Sequence, residues 1–594
     1  MGGMERQQLR ADRQTHWLFR RLPFLMWLRT YHRGDLPHDV VAGLTVATML
    51  IPQSMAYALL AGLPPIVGLY AGILPVLVYG LLGSTRTLTF GPTAITSVMI
   101  LGSITSLATP DTTEFFVQSL TLTLILGLVY LLMGLLRLGF VVNYLSRSVL
   151  EGYVNAAALI IAISQIQSLL GISIPRSPYP LETLLQVLLS FGDIHLLTLL
   201  LGIACIVIIL FFSFRLEQLL SRFIFNQNLR LVIVRSGALV TVLLATFIVF
   251  VFRLDDMGIA IIGDVPVGFP PISLGPFDFS HWQTLLPGAL AIAFVGFMEG
   301  VSTAQSLTSQ RRQTLNANQE LIAMGSANIA GALSGGMAST TSISRSAVNH
   351  VAGARTGLSS VIAACIVGLI VAFFTPLFYF LPSTALAAII LTSVVKLFNL
   401  RSLRQLWVYS KLDTIPFFVT FLVTLFVSIP IGIASGIAFS LLTYLARTSR
   451  PEVEVLGRVN YTEHYRDVVQ FPEALPISGV LIIRIDESLY FANAQYLDRY
   501  LRNTIAELDD VNYLILVCDA MNWLDASALQ ILETLIDDLQ RVGVTVYITQ
   551  LNLKVWGRIT KAGFVDRVGE ERFFNRTHDA VFATGALLDD ELPI

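Results

Sequence analysis

Apolar stretches follow one another closely from Asp39 to about Ala446, and then give way to short runs bracketed by charge. The apolar part divides into fourteen candidate spans, at roughly 39–62, 65–82, 91–107, 116–138, 148–170, 190–213, 231–253, 284–307, 318–334, 344–353, 357–380, 383–397, 414–430 and 432–446. Several are shorter than the ~20 residues a helix needs to cross a bilayer. The third and the tenth are also broken at their starts. One break is Gly335-Gly336-Met337-Ala338-Ser339-Thr340-Thr341-Ser342-Ile343-Ser344-Arg345. The other is Ser84-Thr85-Arg86-Thr87-Leu88-Thr89-Phe90-Gly91-Pro92-Thr93-Ala94. Each reads as an extended, hydroxyl-rich run entering a short helix. Ser344 and Arg345 fall at one helix start, and Pro92 fits the first turn of the other, where its missing N–H is not needed.

Such segments cannot face lipid. Unwound, polar chain survives at membrane depth only where it is buried in protein or lines a cavity. The unpaired N–H groups of a helix start, the helix dipole and a guanidinium together attract an anion. The two broken helices are seven spans apart, so fourteen spans divide into two halves of seven. Seven is odd, which inverts one half against the other and lets the two helix starts meet near the midplane. Two ordinary glycine-proline breaks would look similar in sequence.

The spans that precede the breaks carry further polar residues. In Ile51-Pro52-Gln53-Ser54-Met55-Ala56-Tyr57, Gln53 and Tyr57 are four apart and share a helix face. They suit a cavity wall, although Gln53 alone equally suits a hydrogen bond between helices. Glu299 is the carboxylate that the span list places mid-membrane, in Gly296-Phe297-Met298-Glu299-Gly300. It is a candidate proton carrier, with a structural acid bonded to a neighbouring helix as the other reading. Gly296 and Gly300 form a small-xxx-small packing pattern.

Composition supports a polytopic membrane protein: 54% hydrophobic and 13% charged residues, with mean hydropathy +0.71. A net charge of −2 and the lack of a basic tract with interleaved aromatics give no reason to expect nucleic acid. Cys205, Cys365 and Cys518 are too scattered for a disulfide framework or a zinc site. No Walker loop and no Ser-His-Asp, metal or nucleotide constellation is present, so neither an enzyme nor a cofactor is expected. Residues 1–37 form a basic arm with Arg6, Arg10, Arg13, Arg20 and Arg21 and no cleavage site. The positive-inside rule keeps it in the cytoplasm. Phe24, Leu25, Trp27 and Leu28 suit an interfacial helix, or the arm is a plain topogenic charge cluster.

After Arg447 the pattern becomes that of a small α/β domain, placed at 448–594 with its linker, behind a transmembrane domain at 38–447. Strands are expected at Val480–Ile485, Tyr513–Val517 and Val544–Ile548. Helices are expected at Asn493–Leu508, Asp525–Arg541 and about Leu553–Lys561. Asp525 suits a helix N-cap.

Together these residues resemble the sulfate permease (SulP) family of anion transporters and exchangers, over nearly the whole chain. The resemblance rests on Pro52-Gln53-Ser54-Met55-Ala56-Tyr57 with Gly68-Leu69-Tyr70, and on Gly91-Pro92-Thr93-Ala94. It rests further on Asn318-Gln319-Glu320-Leu321 with Gly325 and Asn328, and on Ser344-Arg345-Ser346-Ala347-Val348-Asn349 with Ala352-Gly353-Ala354-Arg355-Thr356. It implies two inverted seven-span repeats forming a core and a gate domain, and a homodimer. It implies an anion site between the third and tenth helices near Phe90, Gly91, Thr93, Ser344 and Arg345, with Gln53 and Tyr57 from the first. It makes Glu299 similar to a proton-coupling glutamate of sulfate-type members. The tail resembles a STAS domain, in which Ser527 would stand where related antagonists are phosphorylated, although Ala528 replaces the usual following glycine.

The expected function is proton-coupled sulfate symport by alternating access, with both termini cytoplasmic. Bicarbonate, chloride or dicarboxylate transport or exchange remains open, as does a membrane-anchored signalling protein whose STAS domain binds a cytoplasmic partner. A nucleobase permease has a similar fold, but Arg345 and the tail domain argue against it.

Overall fold

The computed structural model describes residues 22–140, 146–172, 174, 180–223, 227–269, 272, 275–310, 315–398, 400–459, 462–508 and 510–586. The arginines 6, 10, 13, 20 and 21 of the basic arm lie outside the described residues. The chain divides into two compact units, Met1–Ser440 and Leu441–Ile594.

The first half of the membrane unit holds α1 (Leu36–Leu60), α2 (Pro65–Leu82, interrupted at Gly72-Ile73), β1 (Phe90–Gly91), α3 (Ala94–Ile104), α4 (Thr113–Leu135), α5 (Arg147–Leu170), α6 (Leu196–Phe214) and α7 (Gly237–Phe252). The second half holds α8 (Trp282–Gln310), α9 (Ala317–Leu333), β2 (Thr340–Thr341), α10 (Ile343–Val351), α11 (Leu358–Phe373), α12 (Ser383–Val394), α13 (Lys411–Phe426) and α14 (Ile429–Thr448). Among the described residues α1, α2, α4, α5, α6, α8 and α14 are long and apolar enough to cross a membrane, and α3, α7, α11 and α12 are shorter apolar helices.

Helix packing follows the seven-helix offset. Helix α1 packs on α11 as α8 packs on α4, and α10 packs on α1 as α3 packs on α8. Likewise α2 packs on α11 as α9 on α4, and α6 on α12 as α13 on α5. Adding seven to one member of each pair and subtracting seven from the other exchanges the two contacts, which is the mark of inverted repeats. Helices α1–α4 and α8–α11 form the core layer, and α5–α7 with α12–α14 form the gate layer.

The gate presents Leu200, Val207, Phe211 and Phe214 of α6 and Phe247 and Phe250 of α7 outward. An apolar face of that extent is a lipid-facing surface, not a water-facing one. Inside the core, tight crossings depend on glycine. A Cβ on Gly68 would overlap the Ser54 carbonyl, so α2 lies directly on the α1 backbone. Ahead of α1, the short helix Pro23–Arg29 buries Trp27 and exposes Met26 and Leu28.

The tail unit is a seven-stranded sheet in the order β4-β3-β6-β7-β8-β9, with β5 paired to β3. Its strands are β3 (Val453–Val459), β4 (Tyr465–Asp467), β5 (Ala474–Leu475), β6 (Val480–Ile485), β7 (Tyr513–Val517), β8 (Thr545–Thr549) and β9 (Phe573–Phe574). Its helices include α15 (Ala494–Glu507), α16 (Ala526–Arg541), α17 (Leu553–Lys561) and α18 (Thr577–Ala583). The strands β6 to β9 are parallel. Leu481, Ile483, Leu514 and Leu516 face one side of the sheet, and Ile482, Ile515 and Val517 face the other. Burial on both faces explains the uninterrupted apolar runs that reveal these strands in sequence. The antiparallel β3, β4 and β5 and the two-residue β9 carry no such run, and the sequence reading passes over them.

Candidate functional site

The two extended runs meet. Strand β1 pairs antiparallel with β2, with Phe90 opposite Thr341 and Gly91 opposite Thr340. The backbone N–H of Ser342 donates to the Thr89 carbonyl at 3.0 Å and continues the ladder. Because the strands are antiparallel, α3 and α10 leave this crossing in opposite directions. Thr93 caps α3, its hydroxyl accepting from the Thr96 N–H at 3.3 Å. Ser342 caps α10 and accepts from the Arg345 N–H at 3.4 Å. Pro92 therefore stands one residue before the cap instead of in the first turn, and its carbonyl points away from α3 toward Arg345. The first-turn N–H groups of Ala94, Ile95, Ile343 and Ser344 have no acceptor within their helices.

Arg345 is fully buried. Its Nη1 donates to Gln53 Oε1 at 3.1 Å, its Nη2 to the Pro92 carbonyl at 2.9 Å, and its Nε has no partner. None of these acceptors is a carboxylate. An unpaired buried charge costs several kcal/mol, so packing alone gives no reason to keep an arginine here. Gly91 makes room for it. Its φ of 142° is a glycine conformation, and a Cβ there would lie 3.3 Å from Arg345 Nη2.

Hydroxyls brace the crossing from both sides. Thr93, Thr96 and Thr340 form a triangle with Oγ1 separations of 2.9, 3.2 and 3.0 Å. Ser346 Oγ accepts from the Thr89 N–H at 2.9 Å, and Asn349 Nδ2 donates to the Thr87 carbonyl at 3.0 Å. The density of hydroxyls in both runs carries the signal for this bracing, although Thr96, Thr340 and Ser346 are not singled out in the sequence.

Gln53, Gly91, Thr93 and Arg345 thus lie around one point. Tyr57 is buried on α1, within electrostatic range of Arg345, with its hydroxyl toward Ser393 of α12. Ser344 is exposed, with its Oγ 3.4 Å from Ser342 Oγ. Phe90 contributes only backbone, because its ring is stacked on Tyr79 with centroids 5.0 Å apart.

Glu299 is buried on α8. Its carboxyl has no hydrogen-bonding partner among the described residues, and Tyr130 of α4 and Tyr153 of α5 lie within electrostatic range. The glycines around it make room for strand β2 and, at Gly296, also for the Tyr130 hydroxyl of α4. A Cβ on Gly296 would overlap Thr340 Cγ2, and one on Gly300 would lie 2.7 Å from Thr341 Oγ1. The face of α8 beside Glu299 is therefore pressed against β2, whose nearer end, Thr341, is four residues before Arg345.

A cavity of about 420 Å³ opens between α3 and the gate, lined by Val98, Gly102, Ser103, Ile163, Ser164 and Pro430 among others. It is not lined by Arg345 or Ser344. In the tail unit, Asp525 caps α16, accepting from the Ala528 N–H at 2.8 Å and, with its other oxygen, from the Phe491 N–H at 2.9 Å. Ser527 is exposed in the first turn of that helix.

Comparison with known proteins agrees with this architecture. The model of the sulfate permease family matches residues 36–420, and that of the STAS domain matches 471–580. The chain is 35% identical to chloroplastic sulfate transporter 4.1 of Arabidopsis thaliana over 586 residues, 97% of this chain and 84% of the relative. It is 33% identical to a probable sulfate transporter of Mycobacterium tuberculosis over 563 residues, covering 94% and 97% of the two chains. Among solved structures it is similar to the murine Solute Carrier 26 family member A9 anion transporter in the inward-facing state, with a TM-score of 0.86, 25% identity and 98% of both chains covered. The transmembrane domain of a cyanobacterial bicarbonate transporter shares the fold, with a TM-score of 0.57 over 70% of this chain and 98% of that domain at 24% identity. With its inverted seven-helix repeats, its paired broken helices and a tail of STAS type, the chain belongs to the sulfate permease family of multi-pass membrane anion transporters.

Proposed function

We propose that this protein moves sulfate together with protons, by exposing one site alternately to the two sides of the membrane. Arg345 carries this reading: a buried guanidinium with an unused Nε, bonded only to neutral oxygens, where two helix starts converge. Gln53, Tyr57, the backbone at Phe90 and Gly91, Thr93, Ser344 and Arg345 form the anion site in this reading. Of the sequence relatives named above, one is a sulfate transporter and the other a probable sulfate transporter, which favours sulfate among the small anions.

Sulfate brings two negative charges to one fixed positive charge. A proton on Glu299 offsets the remainder. The carboxyl and the anion site share strand β2, so the charge state of one bears on the geometry of the other. Core and gate rock against each other around this point. The protein is a homodimer with both termini in the cytoplasm in this reading, divided into the arm 1–37, the transport domain 38–447 and the STAS domain with its linker 448–594. The exposed Ser527 is a position open to phosphorylation, and the STAS domain is available to dock a cytoplasmic protein.

Sulfate counterflow tests the anion. Proteoliposomes loaded with unlabelled sulfate take up labelled sulfate faster than empty ones if sulfate is the substrate. Equal uptake by both, with acceleration by another preloaded anion instead, removes sulfate from the account.

A further inference from the structure

Helix α9 enters none of the roles above, yet two of its side chains reach the two extended runs separately. Glu320, 2% exposed, accepts four hydrogen bonds. Its Oε1 takes Ser84 Oγ at 2.7 Å, Thr85 N at 2.8 Å and Thr85 Oγ1 at 2.7 Å, and its Oε2 takes Tyr79 Oη at 2.7 Å. This fixes the start of the run that ends in β1, and it sets Tyr79 to stack on Phe90. Asn328, 1% exposed, grips the other run. Its Oδ1 accepts from the Ser339 N–H at 2.9 Å and its Nδ2 donates to the Ser339 carbonyl at 3.0 Å. That pair copies a strand ladder one residue before Thr340, the partner of Gly91.

The two residues are eight apart on α9, within one helical stripe. The helix itself is held firmly. A Cβ on Gly325 would lie 2.7 Å from the Leu131 backbone nitrogen of α4, so α9 and α4 are in backbone contact. Gln319 Nε2 donates to the Leu82 carbonyl at 2.9 Å, and Asn318 Oδ1 accepts from the Gly139 N–H at 2.8 Å.

We propose that α9 is the positioning element of the anion site, with Glu320 and Asn328 as positioning residues that set the spacing of the two crossing runs. The proposal rests on the reading of the crossing as that site. Neither residue touches the anion. They act by holding the β1 run and the β2 run at one separation, so that the N–H groups of α3 and α10 and the Arg345 guanidinium converge. Glu320 works as a multiple acceptor and not as a charge. A glutamine can keep Oε1 for Ser84 and Thr85 while its amide donates to the Tyr79 hydroxyl.

The test compares wild type with Glu320→Gln, Glu320→Ala and the isosteric Asn328→Asp in proteoliposomes. It measures the half-saturating sulfate concentration and the maximal rate in counterflow, together with the melting temperature of each purified protein. Counterflow needs no proton gradient, so the result does not depend on proton-driven accumulation through Glu299. The expected result is a half-saturating concentration raised about tenfold in Glu320→Ala and Asn328→Asp, which corresponds to about 1.4 kcal/mol, and a value within about threefold of wild type in Glu320→Gln. Asn328→Asp retains side-chain volume, so the proposal is still tested if the alanine variant does not fold. Unchanged half-saturation with only a lower melting temperature would overturn the proposal. So would Glu320→Gln being as impaired as Glu320→Ala, because charge would then matter and not geometry. If wild type transports another anion and not sulfate, the sulfate reading fails separately and the same comparison is made with that anion.

Discussion

Gly91 lies directly opposite Thr340, in a ladder only two residues long on each side. Each residue belongs to a different inverted repeat, so this pair joins the halves of the transport unit at the point where both helices begin. The guanidinium of Arg345 lies against Gly91, and the helix of Glu299 lies against Thr340. The proposed anion site and the proposed proton site therefore meet across one pair of residues, and the predictions follow from that arrangement.

Arg345→Ala removes the fixed charge and both hydrogen bonds to Gln53 and Pro92. Hydrogen bonds to charged groups contribute about 1.5–3 kcal/mol each. The half-saturating anion concentration is expected to rise more than tenfold, measured by counterflow. Arg345→Lys recovers little of this, since an ammonium cannot span two acceptors as the planar fork does.

Gly300→Ala pushes the new methyl into β2 at Thr341, and Gly296→Ala pushes it into both Thr340 of β2 and the Tyr130 hydroxyl of α4. Overpacking of this kind costs about 1–3 kcal/mol, here paid in displacement of the strand that leads to Arg345. Gly102→Ala in α3 is the matched control, because a Cβ there meets nothing within 4 Å. Uptake assays on the three variants are expected to show loss in the first two and normal activity in the third.

How much of this was visible in the residues alone is clearest at the crossing. The two hydroxyl-rich runs, seven spans apart, announce that two helix starts meet, because polar unwound chain has only one tolerable place in a membrane. The pairing register was not visible, since it depends on which face of each two-residue strand packs inward. Ser342 rather than Ser344 caps α10 because only its hydroxyl reaches back to the Arg345 N–H. The resemblance to the family places Phe90 at the site, whereas its ring turns to Tyr79, which a linear reading cannot foresee. In the sequence, Glu320 and Asn328 stand only as marks of the family. Their partners lie 235 and 11 residues away, and nothing local points to them.

Asp525→Ala removes an N-cap that serves both α16 and the chain at Phe491. Loss of such a cap costs about 1 kcal/mol, and amide exchange at Ala528 and Phe491 is expected to accelerate. Ser527→Glu places a negative charge in the first turn, where the helix dipole favours it. Its melting temperature is expected to stay at or slightly above that of wild type, measured by a thermal scan.

Cys518 is buried behind β7, and burial, reinforced by Asp519, pushes its thiol up to about 12. The thiolate is the reactive form. Alkylation of Cys518 is therefore expected to be negligible in the folded protein from pH 7 to 9. In denaturant it is expected to rise steeply around the ordinary thiol value of about 8.5. Peptide mass analysis after iodoacetamide treatment reads both.

The central claim is that Glu299 carries a proton with the anion bound at Arg345. The most direct measurement is labelled sulfate uptake into proteoliposomes with and without an inward proton gradient, for wild type and Glu299→Gln. The account predicts gradient-driven accumulation in wild type, its loss in Glu299→Gln, and persistence of sulfate counterflow in the variant. Accumulation by Glu299→Gln that still follows the proton gradient would contradict it.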